Sequence, residues 1–370
     1  MIMLMTIEVS AAFGSQTVYD TSEQMEAVGA NDLPASLPEE TNTLMEKIGI
    51  DEVTPENIIH LAPGDFFRTI WQSARNAALE PLHLLGVIIG IVSLCAMIGG
   101  LQSGSWEKGI SEIFAFSAAL CTLVSVTSPI VECIVQTSQI IKSASNFMLV
   151  FIPVFSAALV ASGQPITGSA YHIFLFSTCQ AVAQVISQLL IPLMNIYLGT
   201  CMVGNLLNEI KVESAAGRVK SILSWVLGLL LTVFIGVLSV QTMVAGNADS
   251  LSMRTAKFFV GSFVPVVGNA LSEALVAAQG CLKLIRTSIG AYGIIAALLL
   301  FLPAFLRLFL WYIVTNLGVV IGDIMGVTQI SRILKSCSAA LGILIAILLC
   351  YALLIIVSTT IVMVTSGLGA

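Results

Sequence analysis

Apolar residues in this chain come in long runs rather than in the alternating or half-apolar patterns of water-soluble strands and helices. A hydrocarbon core about 30 Å thick asks for roughly 20 residues of helix. Runs of that kind cover 82–101, 113–134, 145–163, 222–245 and 338–363. Three further regions do not reduce to one span each. The stretch 169–207 has no formal charge with His172 neutral, but as one helix it would measure about 58 Å, and Pro192 divides it, so it reads as two helices. The stretch 288–322 contains Pro303 and Arg307 and reads as a bent helix or a hairpin. In 256–282, Pro265, the pair Gly268-Asn269 and Glu273 interrupt otherwise apolar sequence. The pattern predicts an all-α fold, a polytopic transmembrane helix bundle of eight to ten crossings with at least one broken or re-entrant helix.

The first 80 residues look different. Residues 12–63 form an acidic head in which Pro34, Pro38, Pro55 and Pro63 leave room only for short helices, for example 39–48 and 54–61. Residues 64–80, opening at Asp65, place Phe67, Ile70, Trp71, Ala74 and Ala78 on one face, as an interfacial helix or a helix packed on the head would. Residues 81–370 make up the membrane domain. Residues 1–11 hold a short apolar run followed by Val9-Ser10-Ala11. They read either as a truncated signal peptide, which would export the head, or as a plain apolar N-terminus.

Composition sharpens this division. The chain is 57% hydrophobic and 10% charged over 370 residues. Residues 1–80 hold thirteen Asp and Glu against three Lys and Arg, a net of −10, whereas the other 290 residues carry +4. Basic residues in short loops, Lys211, Arg218 and Lys220 in one and Arg332 and Lys335 in another, mark the cytoplasmic side. Counting spans from there leaves both chain ends outside the cytoplasm. The eight cysteines lie in or beside apolar stretches with no C-x-x-C spacing, as small core residues do.

Three polar or small-residue patterns are candidates for function. Pro265 removes a helix hydrogen bond, and Asn269 can cap a second half-helix whose first turn favours the Glu273 carboxylate. Ser262, Asn269, Ser272 and Glu273 would then face a pore, a partner helix or an ion; a loop and amphipathic helix at the outer interface is the alternative. Gln180, Gln184 and Gln188 recur every four residues and share a helix face, as interhelical bonds or a wet lining require. Gly86 and Gly90, and Gly318, Gly322 and Gly326, have the spacing of close helix packing, within the chain or between copies in a homo-oligomer.

Catalytic signatures are missing. His60, His83 and His172 stand apart, and no H-E-x-x-H, G-x-S-x-G or phosphate-binding loop occurs. Nothing calls for a metal or cofactor, and an acidic head does not suit nucleic acid.

The runs "RTAKFFVGSFVPVVGNALSEAL" (254–275) and "GLLLTVFIGVLSVQTMVAGNADSLSMRTAKF" (228–258), with the acidic head before them, resemble the stage III sporulation protein AE family of endospore-forming Firmicutes. The resemblance covers nearly the whole chain from about residue 64. It implies a multi-pass protein of the mother-cell membrane facing the forespore. There it would join other proteins of the stage III A operon and a forespore membrane partner in a channel complex, in contact with membrane lipid and without an established cofactor or catalytic residues. The expected function is therefore a membrane-embedded channel or scaffold subunit, and the rival is a stand-alone secondary transporter in which Asn269 and Glu273 hold a solute or ion.

Overall fold

The computed structural model describes residues 25–50, 53, 63–101, 108–207, 210–263 and 268–368. Their secondary structure is helical. In the head, two 3-10 turns (Ala30–Asp32 and Pro34–Ser36) precede α1 (Glu39–Lys47). The expected helix 54–61 lies outside the described residues. Then follow α2 (Pro63–Leu101), α3 (Lys108–Ala161), α4 (Pro165–Val185), a π-helical turn (Ile186–Leu190), α5 (Ile191–Leu207), α6 (Ile210–Phe263), α7 (Gly268–Ile324) and α8 (Thr328–Leu368).

Among the described residues, six helical stretches are long and apolar enough to cross a membrane: Phe67–Met97, Phe116–Ala161, Pro165–Asn205, Gly217–Ser252, Leu282–Ile324 and Thr328–Val364. The eight to ten crossings read from the apolar runs correspond to these six. Runs 113–134 and 145–163 belong to the single helix α3, which continues through Lys142 with Pro129 and Pro153 inside it. The stretch 169–207 stays continuous because the π turn, rather than a break at Pro192, adjusts the helix before that proline. The stretch 288–322 lies wholly in α7, with Pro303 internal. The number of long apolar helices among the described residues stays even. Six helices running alternately up and down still bring the head and the end of α8 to one end, and the basic residues Arg332 and Lys335 to the other.

Two chain reversals among the described residues are set by glycines in left-handed conformation. Gly163 (φ 87°) ends α3, where Gln164 N–H donates to Leu159 O at 3.0 Å. Gly326 (φ 73°) ends α7, where Val327 N–H donates to Gly322 O at 2.9 Å.

The core runs up the middle of the bundle. Phe147, Phe151 and Phe155 stack along α3 with centroids 5.5 Å apart. They meet α7 where its glycines remove side chains: a Cβ on Gly293 would lie 2.1 Å from the Phe151 ring, and one on Gly290 3.0 Å from Phe155 and 2.6 Å from Met363. Tyr292, Trp311 and Tyr351 complete the core as fully buried side chains. The head joins it rather than hanging free. Leu33, Leu37, Leu44, Met45, Ile48 and Ile50 are buried in the same apolar cluster as Phe151 and Phe155, and Gly29 lies against Val154.

Candidate functional site

Polar side chains that a bilayer would penalise gather in two places. The first lies where α1 of the head, α2, α3 and α7 meet. Arg307 on α7 donates from one terminal nitrogen to both Glu80 on α2 (3.0 Å) and Glu132 on α3 (3.2 Å), and Gln136 donates to the same Glu132 at 3.4 Å. Both carboxylates are more than half exposed and the guanidinium is one quarter exposed, so the triad stands at the edge of the bundle. It closes one side of a half-open cleft of about 650 Å³, lined also by Glu40 and Lys47 of α1, Asn76 of α2 and Gln139 of α3.

The sequence placed Phe67, Ile70, Trp71, Ala74 and Ala78 on one apolar face of 64–80. In the structure the inward side of that segment instead carries Thr69, Ser73 and Ala77, with Ile70 and Ala74 beside them, while Phe67 and Trp71 are exposed. The segment is continuous with the span, as the first half of α2 with Pro81 inside the helix.

The second place is the start of α4. Asp249 of α6, 3% exposed, accepts from the backbone N–H of Ile166 at 2.9 Å and of Thr167 at 2.7 Å. Its carboxylate does the work of an N-cap from another helix, since Gln164 at the cap position makes no capping bond and the helix dipole favours an anion there. Gln241 adds a bond to Ala170 O at 3.3 Å. Sequence reading passed over Asp249. The only signal was an acidic residue inside a long apolar helix, and nothing local paired it with residue 166.

Of the expected polar face, Pro265 lies outside the described residues, as do the side chains of Ser262, Asn269, Ser272 and Glu273. The interruption they were read to make falls between Phe263, the last residue of α6, and Gly268, the first of α7. Each arm then continues into a helix of 54 or 57 residues instead of forming a short half-helix. The glutamines do not form one inward row. Gln180 is half-buried and accepts from Ser145 at 3.3 Å, but Gln184 and Gln188 are exposed. Five residues in the π turn at 186–190 rotate Gln188 off the face that a four-residue spacing would keep.

The glycines divide likewise. Gly318 packs on Leu334 and Ile88, and Gly322 on Ser331, whose hydroxyl bonds to Asp323. Gly86 and Gly90 face open space, and Gly326 makes the turn after α7. The closer approaches, at Gly168, Gly290 and Gly293, carry no four-residue signature.

Among the described residues no three His, Cys, Asp or Glu side chains are placed to share a metal ion. The two polar sites hold helices together by hydrogen bonds and charge, and neither presents a nucleophile beside a base. No solved structure matches the chain. A relative, "Stage III sporulation protein AE" of Bacillus subtilis (strain 168), is 24% identical over 270 residues, 73% of this chain and 65% of its own length, so the chain spans just under two thirds of that relative. The family model described as stage III sporulation protein AE matches residues 50–366, and the chain accordingly belongs to that family.

Proposed function

We propose that this protein is a non-enzymatic, membrane-embedded channel or scaffold subunit of a sporulation-specific complex between mother cell and forespore. The observation that carries this reading is the reach of the end of α6 and the start of α7 beyond the other helices. Asp249 is level with the first turn of α4, and Gly290 is level with Phe155 and Met363, near the ends of α3 (Ala161) and α8 (Leu368). From there α6 continues 14 residues to Phe263 and α7 begins 22 residues before Gly290. Both arms thus run on the order of 20 Å past the neighbouring helices. Beside Arg254, Lys257 and Lys283 the arms carry many Phe, Val, Ala and Leu residues, of which Leu251 is 68% and Leu284 57% exposed. Apolar helices that leave their own bundle call for a covering partner, as a subunit has and a self-contained transporter does not.

Family membership supports a sporulation role for this reading. The partners would be other proteins of the stage III A operon and a forespore membrane protein, with the head and the projecting arms on the non-cytoplasmic side of the mother-cell membrane. The test is purification in mild detergent from sporulating cells. A subunit elutes in an assembly much larger than the 39.1 kDa chain and shows no solute binding of its own. Recovery as a lone protomer that binds or moves a small solute would replace this reading with the transporter.

A further inference from the structure

Two hydroxyls near the Asp249 cap have no use in the fold described so far. Thr167, 2% exposed, and Tyr171, 3% exposed, stand one turn apart on α4, and neither hydroxyl oxygen has a hydrogen-bonding partner among the described residues. Thr359 of α8 faces the Tyr171 hydroxyl outside bonding geometry and donates its own proton to Ile355 O at 3.0 Å. Buried polar groups in folded proteins are matched either by protein or by ordered water.

Both side chains line a cavity between α4 and α6 with about 10 Å³ of space for the centre of a water-sized sphere, enough for one water molecule. Gln241 and Thr242 of α6 line the same cavity. Thr242 is 5% exposed, and its hydroxyl donates to Leu238 O at 2.8 Å, which leaves its oxygen lone pairs as acceptors. Gln241 donates to Ala170 O at 3.3 Å and so ties the cavity wall across the two helices. The cavity therefore offers two unused O–H donors and an acceptor, about the number of partners a buried water takes. A cation could use the oxygen lone pairs but could not accept the two hydroxyl protons, and the Asp249 carboxylate is already engaged by two backbone N–H groups.

We propose that Thr167, Tyr171 and Thr242 bind one structural water molecule between α4 and α6. The water accepts from the Thr167 and Tyr171 hydroxyls and donates to Thr242 Oγ1. Thr242 precedes Asp249 by seven residues, about 10 Å along α6, so the water and the Asp249 cap fasten α6 to α4 at two levels just before α6 runs on past its neighbours. The site needs only the folded chain and is independent of the assembly proposed above.

Two measurements on the full chain in mild detergent test it. A brief X-ray pulse converts bound water to hydroxyl radical where it sits, and mass spectrometry of the digested protein reads which residues are oxidised. Tyr171 should be oxidised severalfold faster than Tyr351, which is fully buried and donates to Cys179 O at 3.5 Å, and Thr167→Val should lower the Tyr171 yield. In thermal unfolding, Thr167→Val and Tyr171→Phe should each lower the midpoint by about 2 °C, and the double variant by less than the sum, because either change weakens the same water. Thr167→Ser, which keeps the hydroxyl, should stay near wild type. Without a bound water, Thr167→Val removes an unmatched polar group and raises the midpoint. That rise, additive shifts in the double variant, or a Tyr171 yield no higher than that of Tyr351 overturns the proposal. So does a wild-type midpoint that is higher in sodium chloride than in equal choline chloride and loses this difference in Thr167→Val, as a bound sodium ion would give.

Discussion

The Asp249 carboxylate accepts from the Thr167 backbone N–H at 2.7 Å across 82 residues of sequence, joining α6 to the first turn of α4. Both Asp249 and Thr167 are buried, and Ile166 N–H is held by the second carboxylate oxygen. Removing the acceptor leaves two amide donors unsatisfied at a helix start. Asp249→Ala should therefore destabilise the folded protein by about 2 kcal/mol, and Asp249→Asn, which keeps one acceptor oxygen, by less. Denaturation midpoints in mild detergent check the order of the two variants.

The glycine contacts separate packing from coincidence of spacing. A methyl group at Gly293 would meet the Phe151 ring at 2.1 Å, whereas at Gly86 and Gly90 it meets nothing within 4 Å. Gly293→Ala should cost about 1–3 kcal/mol through overpacking, and Gly86→Ala should be neutral or slightly stabilising. Gly290→Ala should fall between them, because its nearest obstacle is the flexible Met363 side chain. Thermal unfolding of the three variants side by side is the measurement.

Arg307 serves two carboxylates with one terminal nitrogen, so neither is indispensable alone. Since Glu80 and Glu132 are more than half exposed, each pair contributes only about 0.5 kcal/mol. Glu80→Gln or Glu132→Gln alone should change stability little. The double variant, which strips the guanidinium of both counter-charges, should cost more than the sum of the singles. A double-mutant cycle reads this, with protease sensitivity of the head as a second readout because α1 lies across the same cleft.

How far these features could be read from the sequence follows from the range of the forces involved. Apolar runs identify membrane helices because desolvation acts residue by residue, so the all-α bundle, the acidic head and the short helix at 39–48 are legible. The continuity of α3 through Lys142 is not, since one exposed lysine at the rim of the bundle does not interrupt a helix. The π turn that displaces Gln188 and the phenylalanine stack that selects Gly290 and Gly293 depend on neighbours distant in sequence. In the sequence Arg307 signals only a bend or hairpin, because its meeting with Glu80 and Glu132 needs α2, α3 and α7 at one height.

Orientation has its own test. Gly280 is exposed near the start of α7 and Lys335 is exposed near the start of α8, at opposite ends of the bundle. With Cys121 and the neighbouring Cys281 replaced, Gly280→Cys should react with a membrane-impermeant maleimide in intact cells, and Lys335→Cys only after permeabilisation. Both reacting from the same side would overturn the six-crossing topology.

The central claim is that another protein covers the projecting ends of α6 and α7. Photocrosslinking amino acids placed at Phe258 and Gly280, with lipid-facing Leu94 as the control, test it in sporulating cells. The account predicts discrete protein adducts at the two arm positions and none at Leu94. Stable, membrane-inserted protein that forms no protein adduct at either arm position would contradict it.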